Sequence, residues 1–277
     1  AGEALDEVQL ELVRKEYNLD KPVPVQFVLW LGRAATGDLG RSTVTQRRVG
    51  EELAMRAVVT LQLGIFAWLI GAAIALPAGV ISAVYRGRAP DVVATMVAVG
   101  AVALPGFWLG IMMILLFGVI LGWLPTRGFV PLLQDPYESL RHMLLPAVAL
   151  GITSSAVVMR QMRSALLEVL TQDYIRTARA KGLALWSTVI GHALRNAMLP
   201  VVTVMGLEIG RIFAGAVVIE TLFGVPGMGQ FMVEAVFKRD FPVVQGCVLV
   251  MATAVLLVNF LTDLFYAVLD PRIRYDS

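Results

Sequence analysis

The sequence predicts an all-α fold, a polytopic bundle of transmembrane helices, and three observations carry that expectation. Hydrophobic residues make up 57% of the 277 and charged residues only 16%, with a mean hydropathy of +0.74; soluble domains run to roughly half apolar and a quarter charged. Five apolar runs come up to the length, about 20 helical residues, that crosses about 30 Å of hydrocarbon. Those runs are unbroken, whereas a membrane β-barrel is written in segments of about ten residues that alternate in polarity.

The runs fall at 58–85, 92–123, 143–159, 198–223 and 243–269. The first carries Pro77 and the second Pro105, and Pro146 lies in the third. Kinks are expected at all three, because proline removes a helical donor and neighbouring helices can re-satisfy the freed carbonyl. The third run is the shortest. Arg141 and Arg160 at its flanks can lift their guanidinium groups toward the headgroups and lengthen the usable span. Gly and Ala in "IGAAIALPAG" and "RIFAGAVV" suit close backbone approach between membrane helices. The fourth run holds Glu208, Arg211 and Glu220, and the fifth holds the single cysteine, Cys247, read as a buried packing residue.

Lys and Arg in short loops set orientation. With the C-terminus cytoplasmic, ten basic residues fall inside: Arg86, Arg88, Arg160, Arg163, Arg176, Arg179, Lys181, Arg195, Arg272 and Arg274. Four fall outside: Arg127, Arg141, Lys238 and Arg239. The stretch 1–57 balances eight basic residues with nine acidic ones and is assigned to the outside. The division is therefore an extracytoplasmic segment 1–57 and a membrane domain 58–277. A chain that starts at Ala1 with that segment outside is expected to follow a further membrane helix.

The motifs point away from chemistry in this chain. "GVPGMGQF" at 224–231 has glycines like those of a phosphate loop, but Gln230 and Phe231 stand where Lys and a hydroxyl residue are needed. Its Gly and Pro residues suit a tight outer loop. No G-x-S-x-G or H-E-x-x-H is present. His142 and His192 lack companions at ligand spacing, so no metal site is predicted.

The insert 160–197 is basic, yet it reads as helices. "RQMRSALLEVL" continues the preceding span; Asp173 offers an N-cap to "YIRTARAK"; Gly182 falls where a helix C′ residue takes positive φ. Helical spacing resumes with Leu185, Val189 and Leu194. A positive-inside loop accounts for the charge, whereas the helix–Gly–helix shape, apolar as well as basic, fits a docking surface. Glu208 and Arg211 share a helical face. They read as either a structural ion pair or groups on a watery path, since charges within a span usually face the bundle interior.

On these residues a resemblance can be stated. "DYIRTARAKGLALWSTVIGHALRNAMLPVVTVMG" resembles the cytoplasmic coupling loop of bacterial ABC importer permeases, in the form found in the dipeptide, oligopeptide and nickel subfamily. "NLDKPVPVQFVLWLGRAATGDLGRS" is similar to the outer segment after that subfamily's first helix, and "VVIETLFGVPGMGQFMVEAVFKRDFPVVQG" to its last outer loop; the tail "LDPRIRY" extends the match. The general permease motif has Glu-Ala-Ala where this chain has Arg176, Thr177 and Ala178. Leu199 and Pro200 also come later than the general pattern places them, so no specific glutamate contact carries over.

The resemblance implies the type I permease fold of six helices, the first preceding this chain. It implies that Tyr174, Arg176, Thr177, Ala178, Arg179, Ala180, Lys181, Gly182 and Leu185 sit in a groove of an ATPase subunit. Two ATPase subunits would bind ATP and Mg, this chain holding no cofactor. A second homologous permease would complete the pore, and an extracytoplasmic solute-binding protein would deliver a peptide; no nucleic acid takes part. The site would be the bacterial cytoplasmic (inner) membrane, in contact with its lipid. The substrate-path candidates are Glu208, Arg211 and Glu220. An ion-coupled secondary transporter using Glu208 and Glu220 is the alternative, and a non-transporting assembly or receptor subunit is a third.

Overall fold

The computed structural model describes residues 11, 14 and 20–269, and its regular elements among them are all helical. In order they are α1 (Val23–Ala35), α2 (Val49–Val84), α3 (Ala89–Ala103), α4 (Gly106–Ile120), α5 (Pro136–Leu170), α6 (Asp173–Ala180), α7 (Leu185–Phe223), α8 (Met228–Lys238) and α9 (Phe241–Leu269). Helices α2, α5, α7 and the Phe241–Thr262 part of α9 are each long and apolar enough to span a membrane, and α3 with α4 makes a fifth candidate as a pair bent by 104°.

The helices overrun the apolar runs. Helix α2 begins at Val49, ahead of the expected 58, so the boundary drawn at 57 falls inside a helix. Hydropathy stops at the polar "GEEL", but Glu51 and Glu52 in the first turn complement the positive end of the helix dipole. Val49 and Leu53 meanwhile bury against Met228, Ala235, Val243 and Cys247. Helix α5 likewise starts well before 143, where Asp135 caps it by accepting from the Tyr137 and Glu138 amides at 3.0 and 3.1 Å, with Pro136 at the first position.

The three prolines differ in effect. At Pro105 the second run breaks: Leu104 is extended (φ −91°, ψ 133°) and Pro105 follows at φ −61°, ψ 133°. A residue before proline is pushed out of the α region. Pro77 and Pro146 instead lie inside the continuous helices α2 and α5. Two elements had no counterpart in the sequence reading, α1 and α8. The "GVPGMGQF" stretch is a turn at Gly224 (φ +61°), a link through Val225 and Pro226, and, after the N-cap Gly227, the start of α8 at Met228.

Helix α5 is central, packed against α2, α3, α4 and α7. It crosses α2 with the backbones almost touching: a Cβ on Gly71 would lie 3.0 Å from the Gly151 carbonyl oxygen. One core surrounds Met159, Met162, Leu166 and Ile175, and another surrounds Leu63, Leu145, Ile212 and Phe223. The first core contains Ile175 of α6, and a third, around Val49, Leu53, Val243 and Cys247, contains Met228 and Ala235 of α8. Each end of the bundle therefore has a short helix tied to its interior.

Candidate functional site

Helix α6 is short and mostly exposed, yet fixed. Ile175 is fully buried in the core with Leu166, Val189 and Ala193, and the Tyr174 hydroxyl accepts from Asn196 Nδ2 at 2.7 Å. Asp173 is the first helical residue and not the N-cap; Gln172 takes the cap position without a side-chain bond. The Asp173 carboxylate instead lies 3.6 Å from Arg176 Nη1. The C-terminal end is a Schellman motif: Leu183 N–H donates to Ala178 O at 3.4 Å and Gly182 N–H to Arg179 O at 3.0 Å, with Gly182 at φ +85°.

Of the predicted docking residues, Tyr174, Arg176, Thr177, Arg179, Ala180, Lys181, Gly182 and Leu185 are exposed, while Ala178 turns inward. Leu183, Trp186 and Ile190 are exposed beside them. They were missed because hydropathy alone assigns such residues to the interior. The surface is an apolar patch within a basic rim, the chemistry of a protein contact.

A second candidate lies within the bundle. A cavity of about 380 Å³ opens where α3 breaks into α4, lined by Val102 and Phe107 there, Thr153 and Ser154 on α5, and Glu208 and Arg211 on α7. Glu208 accepts from Arg211 Nη1 at 2.6 Å. The Glu208 side chain is 4% exposed and that of Arg211 is 70% exposed. The pair is thus half buried and half presented to the open side.

Glu220, the third path candidate, lies elsewhere. It is fully buried and absent from that cavity's lining. Its carboxylate accepts from Thr60 Oγ1 at 2.6 Å and from the Gly229 and Gln230 amides at 2.7 and 3.1 Å. Thr60 Oγ1 in turn accepts from the Met228 amide at 2.9 Å. Glu220 therefore ties α2, α7 and the first turn of α8 into one joint, where a carboxylate meets the positive end of a helix.

The Asp91–Arg163 pair had no sequence signal. Arg163 Nε and Nη2 reach the two Asp91 oxygens at 2.7 and 2.9 Å, and Asp91 also takes Ser82 Oγ and the Gly87 amide. This buried joint ties the α2–α3 turn to α5. Arg163 had been legible only as one more positive charge.

A multi-span helical bundle with the short helices α6 and α8 pinned to it, one of them carrying an exposed apolar and basic face, defines an integral membrane subunit with a surface suited to a protein contact. The particular family follows from comparison. Residues 75–275 match the model for "Binding-protein-dependent transport system inner membrane component", and the chain belongs to that family, the membrane-spanning permeases of ABC importers. It is 42% identical over 277 aligned positions to the di/tripeptide transport system permease protein DppB of Pseudomonas aeruginosa (strain UCBPP-PA14), covering 93% of this chain and 82% of that protein. It is 41% identical to the glutathione transport system permease protein GsiC of Escherichia coli (strain K12), covering 99% of this chain and 87% of that one.

Among solved structures, an inward-facing MetNI methionine ABC transporter aligns with TM-score 0.64 at 20% identity over 79% of this chain and 96% of the other. An amino acid ABC transporter with histidines aligns at TM-score 0.57 and 17% identity, over 78% and 93%. These two bear on the fold alone, and they agree with the type I permease architecture implied by the resemblance. The ion-coupled carrier alternative finds no support among these relatives.

Proposed function

We propose that this permease forms half of the translocation path for short peptides, di- or oligopeptides, and is driven through α6 by a separate ATPase. The named relatives, which handle di- and tripeptides or glutathione, support the substrate class. The observation that carries the coupling role is the anchoring of α6. Ile175 and the Tyr174–Asn196 bond hold it rigidly to α5 and α7 while its Arg176 and Arg179, with Lys181 just after it and Leu185 at the start of α7, are exposed. A partner that grips this face moves two spans together.

Membership of the family supports the remaining parts of this reading. Two ATPase subunits hold ATP and Mg; this chain contributes no nucleotide site and no catalysis. A second, similar permease closes the path, and an extracytoplasmic solute-binding protein delivers the peptide to the outer face, which includes residues before α2 and the α8 region. The C-terminus and α6 lie on the cytoplasmic side of the bacterial inner membrane. ATP binding closes the ATPase pair, and the docked α6 helices carry the bundle between inward- and outward-facing states.

Uptake of labelled alanyl-alanine into proteoliposomes holding the complete complex tests this. Uptake is expected only with ATP inside and loaded binding protein outside. Accumulation driven by an ion gradient without ATP would overturn the proposal.

A further inference from the structure

The cavity at the α3–α4 break has a chemistry that the coupling role does not use. Arg211 lies twelve residues before Phe223, the last residue of α7, so about 18 Å along the helix at 1.5 Å per residue. That is the middle of an apolar core about 30 Å thick. An exposed guanidinium facing hydrocarbon at that depth is costly, so its open side belongs to a water-lined path. Among the described residues only Nη1 of Arg211 is engaged, by Glu208, and a guanidinium carries five N–H donors in a fork that matches a carboxylate. Arg211 lines the cavity with its side chain 70% exposed, so those remaining donors are open to an incoming group.

The wall opposite supports the same reading. Non-helical backbone at membrane depth is tolerated where it is buried in protein or lines a watery cavity, and Leu104 and Pro105 interrupt the helix beside Val102, Gly106 and Phe107, all cavity residues. Thr153 and Ser154 add hydroxyls from α5. At about 380 Å³, the cavity is within the range of about 300–1,000 Å³ usual for small-molecule sites.

Building on the peptide-importer reading above, we propose that this cavity is a carboxylate station on the path. The free N–H groups of Arg211 take the C-terminal carboxylate of the passing peptide, and Glu208 neutralises the guanidinium when the station is empty. Glu208 is a positioning residue that keeps one arm of the fork fixed. The contact is with a group common to all free peptides, so it suits a path whose sequence selectivity resides elsewhere.

The test uses the complete permease–ATPase complex in nanodiscs without binding protein. Bound labelled alanyl-alanine is displaced by unlabelled alanyl-alanine or by its C-terminal amide. The amide is expected to compete at least about tenfold less well in the wild type, as loss of one charge-assisted bidentate contact implies. Arg211→Gln should abolish the difference and Arg211→Lys retain part of it. Equal competition in the wild type overturns the proposal without need of any variant, as does an unchanged preference in Arg211→Gln. Loss of the second permease from the Arg211→Gln complex would make Arg211 an intersubunit contact and also overturn it. So would displacement of the label by phosphatidylglycerol in otherwise zwitterionic discs, which would make a lipid phosphate the occupant. Failure of ATP-driven uptake in the wild type would sink the importer reading, whereas intact uptake without a carboxylate preference sinks only the station.

Discussion

Gly182 shows how much one residue can decide. At φ +85° with open space where a Cβ would go, its substitution meets no neighbour, so the whole penalty is backbone strain, about 1–2 kcal/mol for an L-residue in the left-handed region. Gly182→Ala should weaken ATPase retention and Gly182→Val weaken it further, β-branched residues being least tolerant there. Membrane insertion is untouched. Arg176→Ala should be milder than either, because its ion pair with Asp173 is solvent-exposed and such pairs contribute little. Co-purification of the ATPase with each variant measures the order, and a failing Arg176→Ala beside a normal Gly182→Val would reassign α6 to a simple basic patch.

Glu220 carries the opposite kind of dependence, in which the neighbours matter. Glu220→Ala would leave Thr60 and two α8 amides without their acceptor, at about 1–3 kcal/mol for each group stranded in the interior. Glu220→Gln keeps one acceptor oxygen and should lose less. Gly229→Ala should resemble the alanine variant, because its Cβ would lie 2.5 Å from the Val217 Cα and 2.9 Å from the Glu220 carboxylate and so push the end of α8 off α7. Thermal unfolding of the purified complex ranks the three. In "GVPGMGQF" Gly224 is the turn former the sequence suggests (φ +61°), while Gly227 and Gly229 let a helix end approach a buried carboxylate.

At the scale of elements, the Asp91–Arg163 joint connects the α2–α3 turn to the span that leads into α6. Asp91 is 7% exposed at the side chain. Removing Arg163 leaves that carboxylate inside without its cation, which costs about 3–5 kcal/mol for a buried pair. The Asp91→Asn/Arg163→Gln double variant should therefore be more stable than Arg163→Gln alone. A double-mutant cycle read by thermal unfolding checks this, and additive losses would show that the two side chains are not coupled. The elements themselves were uneven to read: α2, α5, α7 and α9 were marked by apolar runs, while α1 and α8 were not, because neither has a span's length. The ends of α2 and α5 were hidden for a related reason, as charged first turns stop a hydropathy run without stopping a helix.

At the scale of the whole molecule, the purified chain alone should neither bind nor hydrolyse ATP, because Gln230 and Phe231 occupy the places of the lysine and hydroxyl that a phosphate loop needs. Equilibrium binding of a fluorescent ATP analogue measures this, and binding that survives removal of the ATPase subunits would contradict it. Assembly should depend on α6 and transport on the cavity, so a loss of ATPase retention and a loss of carboxylate preference should be separable by mutation.

By itself the sequence determined that the chain lies in a membrane, where its apolar runs lie, that a helix–Gly–helix insert interrupts them, and which importer family it belongs to. These are properties of composition, local periodicity and motif, each written in contiguous residues. Only the tertiary structure decided that Glu208 and Arg211 share a cavity at a helix break while Glu220 is enclosed as a joint, that Ala178 faces inward, and that Arg163 serves Asp91. Those three carboxylates and two guanidiniums stand in similarly apolar or basic text. Their roles diverge because a charge in a low-dielectric interior is governed by the partners that other helices bring within about 3 Å, and neighbours distant in the chain leave no mark in its local pattern.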